Sequence, residues 1–147
     1  MSVETDPPHA VTTVDVVGGS GDPAVSVAVS SDGHVVVVGI DAFAGDTDLA
    51  IVNAETLTVL HRTSLDGLSG PVRWVAHFET GRAAIVAGDR GPSLMAVQTI
   101  APYTILDIFE VDAAGDNATL GRPAAGGDMI AIVNQDEPAV YLFGLEP

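Results

Sequence analysis

The chain has 147 residues, with 20 Asp plus Glu against 5 Arg, no Lys, and a formal charge of −15 at pH 7. That balance excludes nucleic acid as a partner, because phosphate binding needs clustered cations, and it disfavours an anionic membrane surface for the same reason. The absence of Cys removes disulfides, thiolate metal sites and a cysteine nucleophile, while 47% hydrophobic residues are too many for an acidic disordered tail.

Aspartates outnumber glutamates 14 to 6. An acidic excess of this size repels itself unless salt screens it, and molar salt shortens the Debye length to about 3 Å. The composition resembles that of proteins from salt-in halophiles; the alternative is a merely acidic protein built from GC-rich codons. The first ten residues carry Glu4, Asp6 and Pro7-Pro8 with no basic residue, unlike a signal peptide. The apolar run at 35–40 is far too short to span a membrane. The expected location is therefore the cytoplasm or a particle surface such as a virion, without membrane insertion.

In chain order, residues 1–9 read as a tail and 10–17 as an apolar strand. A Gly-rich link at 18–23 leads to a β-hairpin around Gly33, Val25 to Ser30 and then 35–40. An Asp-rich turn at 40–48 precedes a strand at 48–53, and Ala54-Glu55 leads into another at 57–65. The same succession returns from Pro71, with a hairpin at Gly81, a strand at 93–97 and a last strand at 103–111. A third copy runs from Asn117 through a turn at Gly126-Gly127 to strands at 129–133 and 139–143, and then the sequence stops. The glycines Gly33, Gly81 and Gly127 are 48 and 46 residues apart, and Thr58 and Thr104 are 46 apart. A further 46 back lies Thr12, so 10–17 supplies the fourth strand that the third copy lacks.

Four short strands on a period of this length are the signature of propeller blades. Val27-Ala-Val-Ser-Ser-Asp-Gly33 and Leu49-Ala-Ile-Val-Asn-Ala-Glu-Thr-Leu-Thr-Val59 resemble the YVTN-type and WD40-like repeat propellers, whose blades read xVAVSPDGxxxYVAN and then VSVIDxxTxxVVATI. The second copy departs from that pattern at Glu79-Thr80, and the third keeps the spacing more than the residues. A β-sandwich of short strands shares the turn rhythm, but the recurring period favours blades. The predicted fold class is all-β: three four-stranded blades at about 23–65, 71–111 and 117–143, within a unit spanning 10–147. Its N-terminal strand completes the last blade.

Three blades do not close a ring, and an open row leaves two apolar faces in water. The predicted remedy is oligomerisation, with Val11, Val14 and Val16 of one copy beside Val140 and Leu142 of another. A homodimer would give six blades and a trimer nine; the dimer is favoured because two-fold symmetry is commonest.

Half of the acids fall in inter-blade links and middle turns, predicting an acidic face that includes Asp22, Asp66, Asp89, Asp116, Asp136 and Glu137. Such loops are also where surplus charge settles. Asp41, Asp46 and Asp48 would offer hard oxygen ligands to Ca²⁺ or Mg²⁺, without the spacing of an EF-hand; otherwise no cofactor is expected. The four histidines have no metalloprotease spacing, and Gly18-Gly-Ser-Gly-Asp22 lacks both the nucleophile-elbow and P-loop patterns. No catalytic residue is predicted. The expected function is a non-enzymatic structural or protein-interaction module that forms homo-oligomers and accepts other protein partners. The alternatives are a divalent-metal-dependent hydrolase or lactonase-like enzyme, and a ligand- or glycan-binding propeller.

Overall fold

A computed structural model of the chain describes residues 13–16, 21–41, 48–66, 68, 72–79, 82–88, 93–110, 124–126, 129–134 and 139–144. Among them are three antiparallel sheets. The first orders β1 (Ala24–Val29), β2 (Val35–Ile40), β3 (Leu49–Asn53) and β4 (Thr58–Thr63) in sequence. The second repeats that order with β5 (Val72–His77), β6 (Ala83–Gly88), β7 (Ser93–Gln98) and β8 (Ile105–Glu110). The third contains β9 (Ala124–Gly126), β10 (Met129–Asn134) and β11 (Ala139–Gly144), with β11 at one edge. Each is a blade, and the fold is the all-β propeller row that the period predicts.

The turns explain why these short segments pair as they do. After β1 the Ser30 hydroxyl donates to Asp32 Oδ1 at 2.5 Å and accepts the Val35 amide at 2.9 Å. Asp32 Oδ1 also accepts the His34 amide at 3.0 Å, and Gly33 takes the left-handed conformation with φ +74°. The two hydrogen bonds, led by that from Ser30, hold the exposed Asp32 carboxyl below its ordinary pKa. Between β3 and β4, Asn53 Oδ1 accepts the amides of Glu55 and Thr56, an Asx turn. That turn ends on Leu57 with φ +56°, and Tyr103, 46 residues on, has φ +59°. The repeat thus extends to an unusual backbone angle at matching places before β4 and β8.

One expected boundary moves. Gly126 is not in the third hairpin's turn but is the last residue of β9, because it pairs with Met129 and leaves only 127 and 128 between the strands. Most of the strand expected at 117–124, and residues 10–12 and 17 of the N-terminal strand, lie outside the described residues.

Successive blades pack face to face, and the core consists of those junctions. We call the side of a blade turned to its predecessor its front, and the other its back. The back of the first blade (Val37, Leu49) meets the front of the second (Val72, Val75, Ala84, Val86, Met95, Val97). The back of the second (Ala83, Ile85, Ala87, Leu94, Ala96) meets Ile130, Ile132, Tyr141 and Phe143 of the third. Polar ties reinforce the first junction: the Val75 amide donates to Ser26 Oγ at 3.1 Å, and Ser31 Oγ donates to the Glu79 carbonyl at 2.5 Å.

Candidate functional site

The features that stand out are the two ends of the row. Most positions on a terminal face have an equivalent, fixed by strand register, that is buried inside the row. On the back of the second blade Leu94 is 0% exposed and Ala96 6%. Their equivalents on β11, 46 residues later, are Val140 at 60% and Leu142 at 63%. Met129 and Val133 on β10 belong to the same open face. At the other end, Val75 is 6% exposed in the second blade whereas its first-blade equivalent Val27 is 59% exposed. Val25 and Val29 are exposed beside it. A soluble surface seldom presents contiguous aliphatic side chains in this way unless something covers them.

The middle of the first blade's front, on β2 and β3, is already covered. Val14 and Val16 are half-buried against Val38, Ile40, Ala50 and Val52. Arg62 on β4 fastens the segment, its guanidinium donating to the Val16 carbonyl at 2.7 Å and to the Asp15 carbonyl at 3.1 Å. Over residues 13–16 the segment has no assigned strand pairing. A cleft of about 370 Å³ lies between it and β1, lined by Val14, Val16, Ala24, Val25, Val27 and Val38. Of the residues expected at an interface, Val14 and Val16 thus sit on the first blade, Val140 and Leu142 lie open on the third, and Val11 is outside the described residues. Nothing in the sequence singles out Arg62 for this contact, because its partners lie 46 and 47 residues away.

The expected acidic sites are only partly described. Asp22 is buried rather than displayed on a solvated face, being tucked in just before β1, whereas Asp66 is exposed. Asp89, Asp116, Asp136 and Glu137 lie outside the described residues. Of the three carboxylates considered as metal ligands, Asp48 uses Oδ2 to accept the Leu65 amide at 2.7 Å, which fixes the chain leaving β4. Asp41 has a buried Oδ1 with no hydrogen-bond partner among the described residues, and Asp46 is outside them. No group of three potential metal-ligating side chains occurs among the described residues.

The innermost strands β1 and β5, together with Ala125 of β9, line a groove of about 420 Å³ along the axis of the row. Trp74 and His77 reach its wall, but His77 is buried and both ring nitrogens are engaged. Nδ1 lies 2.7 Å from the Phe78 carbonyl, which only accepts, so Nδ1 carries the proton. In the neutral ring Nε2, 3.1 Å from Thr99 Oγ1, accepts from that hydroxyl. The imidazole ties β5 to the bend after β7 and has no nitrogen free for chemistry.

Comparison with known proteins supplies the fold and no closer kinship: no family model matches the chain, and neither does any curated protein. Solved structures do match. KlAtg21, in a complex with the coiled coil of AgAtg16, aligns with a TM-score of 0.70 at 16% identity, over 92% of this chain and 43% of its own. The β-propeller domain of Myceliophteria thermophila Cps50 (Swd1) aligns at 0.68 and 14% identity, over 96% of this chain and 47% of its own. Kluyveromyces lactis Hsv2 aligns at 0.58 and 11% identity, over 86% and 34%. These are WD40 β-propellers, and the chain has their blade architecture while spanning less than half the length of each.

Proposed function

We propose that the chain is a non-enzymatic protein-interaction module, and that its interaction is first of all with further copies of itself. The observation that carries this reading is the pair of open terminal faces, whose equivalents in the middle blade are buried. Propeller blades are stable as stacked neighbours, each covering the next. A row ending in Val27 and Val29 at one side and in Val140 and Leu142 at the other lacks two coverings of the same kind. With alignments spanning 43% and 47% of two neighbours' chains, two copies would bring six blades and most of the length of either propeller. The KlAtg21 complex shows the same architecture holding a protein segment, which supports a role in binding other proteins once a ring is complete.

Mass in solution tests the reading. Light scattering in molar KCl should give about twice 15.0 kDa. Lowering the salt should dissociate the particle, because copies carrying −15 each then repel over a longer range. A chain that stays monomeric at high concentration in molar KCl would sink the proposal.

A further inference from the structure

Resting on that reading, we infer that copies join head to tail, the back of one copy's third blade seating on the front of the next copy's first blade, with Val133 of one against Ala24 of the next. Three observations converge on this pairing.

The first is the match of unlike faces. Inside the chain a back always meets a front, and the open ends of the row are one front and one back. Pairing front with front would leave both backs in water, and the reverse pairing would leave both fronts. Only the head-to-tail contact covers all of them when the ring closes.

The second is a size exchange at one position. Gly39 on β2 faces the second blade so closely that an added Cβ would lie 2.5 Å from Val72 Cγ1 and 3.3 Å from Val75 Cγ1. A small residue on the back thus receives a large one from the front. The register places Val133 where Gly39 stands, and Ala24 where Val72 stands. At the open ends the large residue is on the back and the small one on the front. A valine on both sides would collide, as it would at Gly39; Ala24 leaves the room that Val133 fills.

The third is an unused strand edge. β3 and β7 each have a fourth strand at their side, β4 and β8, whereas β11 has only β10 among the described strands. Arg62 on β4 holds residues 13–16 over β2 and β3 on the first blade's front, with an apolar cleft between them and β1. A third blade seated on that front would bring the free edge of β11 to this segment.

A disulfide trap tests the junction, in a chain that has no cysteine of its own. A Cβ built on Gly39 lies 3.5 Å from Val72 Cβ, and disulfides span a Cβ separation of roughly 3.5–4.5 Å. The double variant Ala24→Cys/Val133→Cys, oxidised in molar KCl, should therefore become a covalent ring of two copies on a non-reducing gel. Each single variant should stay at one chain's mass. Both positions are exposed on the isolated chain, so neither substitution threatens its fold. Cross-linking by either single variant would reveal like-to-like pairing and overturn the head-to-tail junction. So would an oligomer of the double variant, seen by light scattering, that forms no disulfide, although self-assembly itself would then survive. A double variant that is monomeric and unlinked, alongside a monomeric parent, would overturn both.

Discussion

The middle blade and the terminal blades are made from one repeat, and they differ mainly in how many neighbours they have. β6 is buried along its whole length because a sheet lies on each side of it. β10, its equivalent in the third blade, buries Ile130 and Ile132 toward the second blade and exposes Met129 and Val133 on the other side. The difference shows that burial here belongs to the position in the row and not to the residue. Leucine is more apolar than alanine, yet Leu142 is open while its equivalent Ala96 is closed.

The largest expected effect separates these two environments at matched positions. Leu94→Ala should cost about 2–5 kcal/mol of unfolding free energy, the range for emptying a packed aliphatic site. Val140→Ala, at the equivalent place, should change the dilute monomer by no more than roughly 0.5 kcal/mol while weakening assembly. Denaturant melts in molar KCl, at concentrations below and above assembly, would measure both; equal losses in the monomer would erase the distinction.

Gly39 and Val133 give the next contrast. Gly39→Ala places a methyl group against Val72 and should destabilise by about 1–3 kcal/mol, as overpacked cores do. Val133→Ala, on the open face, should leave the monomer's melt unmoved. A similar magnitude is expected where polar groups are sealed inside the second blade. Thr99→Val removes the hydroxyl that His77 Nε2 accepts from, and a buried acceptor left unpaired costs about 1–3 kcal/mol. Thr99→Ser keeps the hydroxyl and should retain more stability than the valine variant, which a chemical melt resolves.

The smallest effect is at the exposed hairpin turn of the first blade. Asp32 has a depressed pKa in the fold, so its ionised form contributes stability above the ordinary value of 3.8 and loses it as pH falls through the lower folded value. Asp32→Asn should flatten that part of the acid unfolding curve, below pH 3.8, and scarcely alter the melt at neutral pH. An unchanged acid limb would mean that the Ser30 and His34 contacts do not bias the carboxyl.

Much of the architecture was readable because blade repeats are local. Each hairpin is specified by nearby residues: Ser30, Asp32 and Gly33 form a turn from their own side chains and backbone freedom, and alternation of apolar residues sets which face they join. The 46-residue spacing of Thr58 and Thr104 extends in the structure to Leu57 and Tyr103 and their shared positive φ. The site was harder to read. Val14, Val16, Val140 and Leu142 could be picked as apolar strand positions from the count of strands, but the contacts of Arg62 could not. Its carbonyl partners lie 46 and 47 residues away, and no periodicity marks a guanidinium that binds backbone oxygens. Asp22 was misjudged for a related reason: a carboxylate in a Gly-rich link looks solvated until the packing around β1 closes over it.

Local backbone preference and charge counting were enough for the strands, most of their turns, the period and the net charge of −15. Only the tertiary structure decided which apolar face of each blade was covered and how tightly. Facing blades come from segments nearly fifty residues apart, and the fit of Gly39 to Val72 depends on two sheets approaching to contact distance. An alternating strand announces that it has an apolar face; what lies against that face is decided by the neighbour.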